Sequence, residues 1–135
     1  MAWGFAVQDS QGSDGGAGSS AADQECAQHW ELVLHIAAWE GVARRRMDGA
    51  AAKLSAAKNF PPVTDTSDAA WQTALAHLRM THEELIATVE KFPRASLAKQ
   101  VPGKRGAHYD FSFMLHGVAQ HAAYHAGQIA LLKKM

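Results

Sequence analysis

A chain of 135 residues with 13 basic and 13 acidic side chains carries no formal net charge, and its pI lies near 7.1. That length fits one domain able to bury a core unaided, and the charge balance excludes the marked basic excess of a dedicated nucleic-acid binder. The lone Cys26 excludes an internal disulfide and a cysteine-built zinc-finger or iron–sulfur site, and gives no sign of an oxidising compartment.

No apolar run approaches the roughly 20 residues of a membrane helix. Met1 to Val7 is apolar but lacks a basic residue, which makes a poor signal peptide. The expectation is a cytoplasmic protein that engages neither membrane nor nucleic acid. The local basic clusters, Arg44 to Arg46 and Lys99 to Arg105, read as solvated surface.

Residues 8–24 are rich in Gly, Ser and Asp and lack apolar periodicity, so 1–24 is expected to be a flexible N-terminal segment ending near a capping Asp23. Residues 25–135 then form one all-α unit. From Glu25 the apolar positions Trp30, Val33, Leu34, Ala37, Ala38 and Val42 recur at helical spacing. This helix stops or kinks at Asp48-Gly49 or runs on to Ala57, and Pro61-Pro62 forbids its continuation.

A second helix opens at Ser67 or Thr66, with Asp68 in its first turn. Its stripe Trp71, Leu75, Leu78, His82, Leu85 and Val89 is expected to face the core, with one histidine inside it. Pro93 closes it. Residues 93–108 read as a loop with a turn at Pro102-Gly103. The last helix runs from Asp110 to the C-terminus on Phe111, Met114, Leu115, Val118, Ala119, Ala122, Ile129 and Leu132. Lys133 and Lys134 complement its dipole. No strand and no repeat is expected.

Eight histidines are many for this length. His121 and His125 stand four apart on one helix, about 40° from one another around its axis, and Gln128 lies about 20° to the other side of His121. Such a pair can chelate one ion without distorting the helix. The small residues Ala122, Ala123, Ala126 and Gly127 around it leave room for a neighbouring helix. A third ligand is expected from a facing helix, and His35, flanked by apolar residues, is the candidate. Alone, His35 reads as a core histidine bonded to a backbone carbonyl or to a side chain. His116 lies about 140° away from His121 and is not expected to share its ion. His29, His77 and His108 read as surface or interface residues, and Trp30, Trp39 and Trp71 as packing residues.

The segments HWELVLHIAAWE, WQTALAHLRMTHEELIATVEKFP and VPGKRGAHYDFSFMLHGVAQHAAYHAGQIALLKK resemble the DinB/YfiT-like metalloenzyme family over roughly Ala27 to Lys134. The H-x-x-x-H-x-G-Q-I motif in a final helix is the specific part. The resemblance implies a helical bundle whose metal ligands fall on His35, His121 and His125. It departs at the N-terminus, where members carry a full first helix and this chain a glycine-rich segment. Three long helices with an exposed apolar groove, a partner chain filling the gap, or a truncated gene are the readings left open. A homodimer follows from an apolar face left bare.

Three imidazoles leave an open position on a divalent ion, which leans catalytic. Zinc or nickel comes first, and iron or manganese remains open. The resemblance further implies a thiol-dependent enzyme in which a low-molecular-weight thiol bound to the metal attacks a small-molecule substrate. Basic residues of the 99–105 loop would then meet the carboxylates of that thiol. A hydrolase is the variant, with His82, Glu83 and Gln128 as catalytic candidates by position alone. The other classes are a non-enzymatic metal-binding bundle that dimerises and a metal-free interaction module.

Overall fold

Capping residues set the helix boundaries. The computed structural model describes residues 21–134 apart from Ala107, so the expectations for residues 1–20 and for the Cys26 side chain lie outside the described residues. Helix α1 spans Ala21–Met47. It begins ahead of the expected Glu25, so Asp23 lies within the helix rather than capping it.

Its end is at Asp48-Gly49, the earlier of the two expected stops. Gly49 has φ +96°. The Gly49 amide donates to the Arg46 carbonyl and the Ala50 amide to the Arg45 carbonyl, both at 3.0 Å. This pair of bonds is a Schellman cap, which uses a left-handed residue to satisfy the last free carbonyls.

A one-turn α2, Ala56–Asn59, follows, with Ser55 as its N-cap. Helix α3, Asp68–Lys91, starts on Ser67, whose side chain accepts from the Ala70 amide, and ends before Pro93. After a 3-10 turn at Arg94–Ser96, the Lys104 amide donates to the Val101 carbonyl at 3.2 Å. Gly103 sits there at φ +75°. Proline second and a left-handed glycine third is the pattern of a type II turn. Helix α4, Phe111–Leu132, is capped by Asp110, which accepts from the Phe113 amide at 2.8 Å. Among the described residues there is no strand, only one isolated bridge between Gln100 and Asp110.

Helix α1 is the axis of the fold. Its buried residues Trp30, Val33, His35, Ile36, Ala37, Glu40, Val42, Ala43, Arg46 and Met47 cover most of its circumference, as expected for a helix with neighbours on several sides. It packs on α3, on α4 and on the short α2. Trp30 meets the Trp71 ring edge-on at 5.3 Å. Further along, Glu40 meets His82 and Arg44 meets Glu84. The matching order of these pairs makes α1 and α3 run the same way, which the long 48–67 crossover permits. Helix α4 runs back along α1.

Two apolar clusters result. One gathers Trp30, Val33 and Ala74, with Trp71, Leu75, Leu78 and Ile129 partly buried around them. The other gathers Ala43, Met47, Leu85, Val101, Phe111 and Met114.

The stripe expected on α3 faces the core at Trp71, Leu75, Leu78, Leu85 and Val89, which are buried or pack partly buried against the two clusters, but not at His82. Ala74, Thr81 and Leu85 are its buried residues, whereas His82 is exposed with 56% of its side chain open. The most buried arc, toward α1, is turned by roughly 60° from the midline of the stripe, which leaves His82 on the open side. On α4, Ala123, Ala126 and Gly127 face outward. A Cβ on Gly127 would meet nothing within 4 Å, so these small residues do not serve a close helix contact among the described residues.

The Schellman cap carries a stability test. A Cβ at Gly49 meets no neighbour within 4 Å, so Gly49→Ala measures backbone strain alone. The expected cost is about 1–2 kcal/mol, read as a melting temperature lowered by roughly 4–8 °C. An unchanged melting temperature would contradict the left-handed cap.

Candidate metal centre

The apolar stripe of α4 runs Phe111, Met114, Val118 and then reaches His121 and His125, between the two hydrophobic clusters. On α1, His35 lies between the Trp30–Val33 and Ala43–Met47 halves of the same core. Two helices that pack for apolar reasons therefore bring three imidazoles together. Their candidate ligand nitrogens all lie within 4.8 Å of one another. His35 is 2% and His125 is 3% exposed, and His121 is half-buried.

The outer ring nitrogens decide what the inner ones can do. His35 Nδ1 lies 2.6 Å from the Asn59 backbone carbonyl. A carbonyl only accepts, so Nδ1 carries the proton and Nε2 is a bare lone pair. Asn59 ends α2, where backbone carbonyls have no helical partner and are free to accept. His125 Nδ1 lies 2.5 Å from Gln128 Oε1, which fixes the same tautomer.

Both bare nitrogens point at His121 Nε2, at 2.9 Å from His35 and 3.0 Å from His125. That nitrogen can supply one proton at most, so the three inner nitrogens share fewer protons than lone pairs. The donor set fits a divalent cation. Tetrahedral ligation with bonds near 2.0–2.1 Å would set these nitrogens about 3.3 Å apart, a few tenths of an ångström wider than the two distances to His121 Nε2.

Aromatic neighbours hold the rings. Phe60 stacks on His35 with ring centres 4.1 Å apart and planes 5° from parallel. The Trp39 indole N–H donates to Asn59 Oδ1 at 2.9 Å, and its ring lies 6.2 Å from that of His121. Asn59 thus ties both His35 and Trp39 to α2. Asn59 and Phe60 were not singled out in the sequence. The usable signal was the Asn-Phe-Pro-Pro run, which stops a short helix and leaves a carbonyl exposed.

Burial lowers the His121 pKa from its ordinary 6.5 to about 4, and repulsion from the other two imidazoles adds to it. His35 is also lowered, mainly by burial, against the opposing bond to Asn59.

The remaining candidates fall elsewhere. Gln128 is at the centre, as the partner of His125. His82 is not: its Nδ1 sits 3.1 Å from Glu40 Oε1 on the α1–α3 face. Glu40 is 4% exposed, and its other oxygen has no partner among the described residues. It lies about 140° around α1 from His35. Glu83 is exposed. His116 bonds to the Ser112 carbonyl at 2.8 Å, away from the cluster as expected. His77 and His108 are exposed, and His29 is half-buried.

The lowered histidine pKa values fix a sign. In the unfolded chain these imidazoles take up protons as pH falls through about 6.5, whereas His121 in the folded protein does so only near 4. Metal-free protein is therefore at full stability above the upper value, loses stability through that window and levels off below it. The melting temperature of chelator-treated protein should fall from pH 6.5 to 4.5 more steeply than that of His121→Gln. Parallel curves would contradict the buried neutral cluster.

No described helix is long and apolar enough to cross a membrane. No curated protein and no solved structure matches the chain. The family model described as the DinB superfamily matches residues 29–129, a span that begins before His35 and ends after Gln128. On that match the chain belongs to the DinB superfamily.

Proposed function

We propose that the protein is a metal-dependent enzyme of the DinB type, in which His35, His121 and His125 hold one divalent ion. Zinc or nickel is the first choice and iron or manganese the next, since imidazole suits several borderline ions. The observation that carries this reading is the pair of outer hydrogen bonds, Nδ1 of His35 to Asn59 and Nδ1 of His125 to Gln128. Such bonds are how metal-binding imidazoles are oriented and made more basic.

Three protein ligands leave a further coordination position for substrate. A bound divalent ion would lower the pKa of a thiol or a water held there. The protein's own residues orient and shield. Phe60 and Trp39 exclude water beside His35 and His121, and Gln128 keeps the His125 proton on the outer nitrogen. Thiol-dependent transfer or isomerisation on a small molecule fits this set better than hydrolysis, because an ionised thiol needs no general base. Among the described residues His82 and Glu83 stand off the centre, so the hydrolytic variant lacks the base it requires.

A second reading, a non-enzymatic metal-binding bundle, is favoured by one observation: a cleft of about 230 Å³ lies beside the centre, and none of the three histidines lines it. A cytoplasmic homodimer belongs to either reading. Exposed Met80 and Ile86 on α3 and Leu131 on α4 offer apolar area for self-association.

Cobalt-loaded protein separates the two readings. Adding a low-molecular-weight thiol should produce a thiolate-to-metal charge-transfer absorption. The zinc- or nickel-loaded protein should then transfer the thiol to an electrophilic substrate, with turnover at least a hundredfold lower in His121→Ala. A cobalt spectrum unmoved by thiols, with no turnover, would contradict the enzyme reading and leave the binding one.

A further inference from the structure

Arg46 belongs to a basic run that reads as solvated surface, yet it is only 4% exposed. Its Nε–H donates to the Ala52 carbonyl at 2.9 Å. Among the described residues it makes no ion pair. A buried guanidinium without a counter-charge is costly, and proteins normally pair it. Its surroundings add positive charge instead of removing it. The 230 Å³ cleft beside Arg46 is also lined by Lys53 and Lys104, and no carboxylate lines it.

The walls of this cleft are built to stand close. Gly103, in the turn that carries Lys104, approaches the Ala51 side chain so nearly that a Cβ would come within 3.0 Å. The Lys104 ammonium lies 5.0 Å over the Tyr109 ring. Burial, and then the Arg46 and Lys53 charges, hold its pKa below the ordinary 10.5. Three cations thus converge where nothing in the described chain neutralises them. Lys99 and Arg105, the other members of the basic loop, do not line the cleft.

Trp39 also lines the cleft, and the same ring faces His121. One side chain therefore separates the cationic cleft from the histidine cluster.

We propose that Arg46, Lys53 and Lys104 form an anion-binding subsite for the carboxylate or phosphate group of a small molecule. A planar guanidinium matches either group with two parallel hydrogen bonds, and the two ammonium groups add charge. A second step rests on the metal-site reading: an anionic tail held here extends past Trp39 toward the three histidines, which makes the substrate or thiol of the proposed enzyme an anionic compound.

The test is a titration of the full-length protein with inorganic phosphate and, separately, with malonate, followed by calorimetry and by backbone amide shifts. Lys53→Gln/Lys104→Gln is the main variant, because both side chains can change without emptying the core. Arg46→Gln is the stronger variant, and its folding is checked by circular dichroism. At least one probe should bind, with amide shifts at residues 51–54, 103 and 104, and bind at least tenfold more weakly in the lysine double variant. Preference for phosphate or for malonate then tells the two ligand chemistries apart.

His121→Ala keeps this subsite distinct from the metal. Binding that survives in His121→Ala supports the subsite even if the protein proves to hold no metal. Anion binding lost in His121→Ala but retained in the lysine variant would mean that the anion sits at the histidines, and would overturn the proposal. Binding of neither probe would overturn it as well.

Discussion

The arrangement depends on where two protons sit. With the outer nitrogens of His35 and His125 committed to oxygen acceptors, the inner nitrogens have only lone pairs to offer. Those two nitrogens, gathered with His121 Nε2 within 4.8 Å of one another, would be a poor way to fill an apolar core. Burial already presses the His121 pKa to about 4, so protonation cannot relieve the crowding near neutral pH. A divalent cation would satisfy the lone pairs and relieve the repulsion together. The acceptors matter as much as the imidazoles, and one of them is a backbone carbonyl supplied by the end of a single helical turn.

The scaffold serves this by making α1 central. A helix buried around most of its circumference can present Trp30, Val33 and Ala37 to α3 while presenting His35 and Trp39 to α4 and α2. The two apolar clusters on either side of the histidines hold α1 and α4 in register, so the four-residue spacing of His121 and His125 meets His35 at a fixed height. Trp39 and Arg46 lie near the His35 side of α1, which is why a cationic cleft stands next to the histidine cluster rather than at the far end of the fold.

Much of this was legible in residue order. The caps at Ser67 and Asp110, the stop at Asp48-Gly49 and the turn at Pro102-Gly103 are local chemistry, and local chemistry is readable. The pairing of His35 with His121 and His125 followed from spacing and from the resemblance. What periodicity could not supply was the direction of approach of neighbouring helices. Periodicity therefore places five of the six α3 stripe residues correctly but sets His82 inside, whereas it stands outside. Small size alone suggests a close contact at Ala123, Ala126 and Gly127, which face outward. Arg46 was read with its exposed neighbour Arg45, because a run of three arginines carries no sign of which one turns inward. Asn59 and Glu40 matter through tertiary partners 24 and 42 residues away, a distance at which no helical pattern operates.

Metal content of untagged protein by elemental analysis, measured beside His35→Ala, His121→Ala and His125→Ala, tests the central claim most directly. The account predicts one equivalent of a divalent transition metal per chain in the parent protein and loss of it in each variant, with the helical content retained. No metal in the parent protein and none taken up on reconstitution, or metal that persists when any of the three imidazoles is removed, would contradict it.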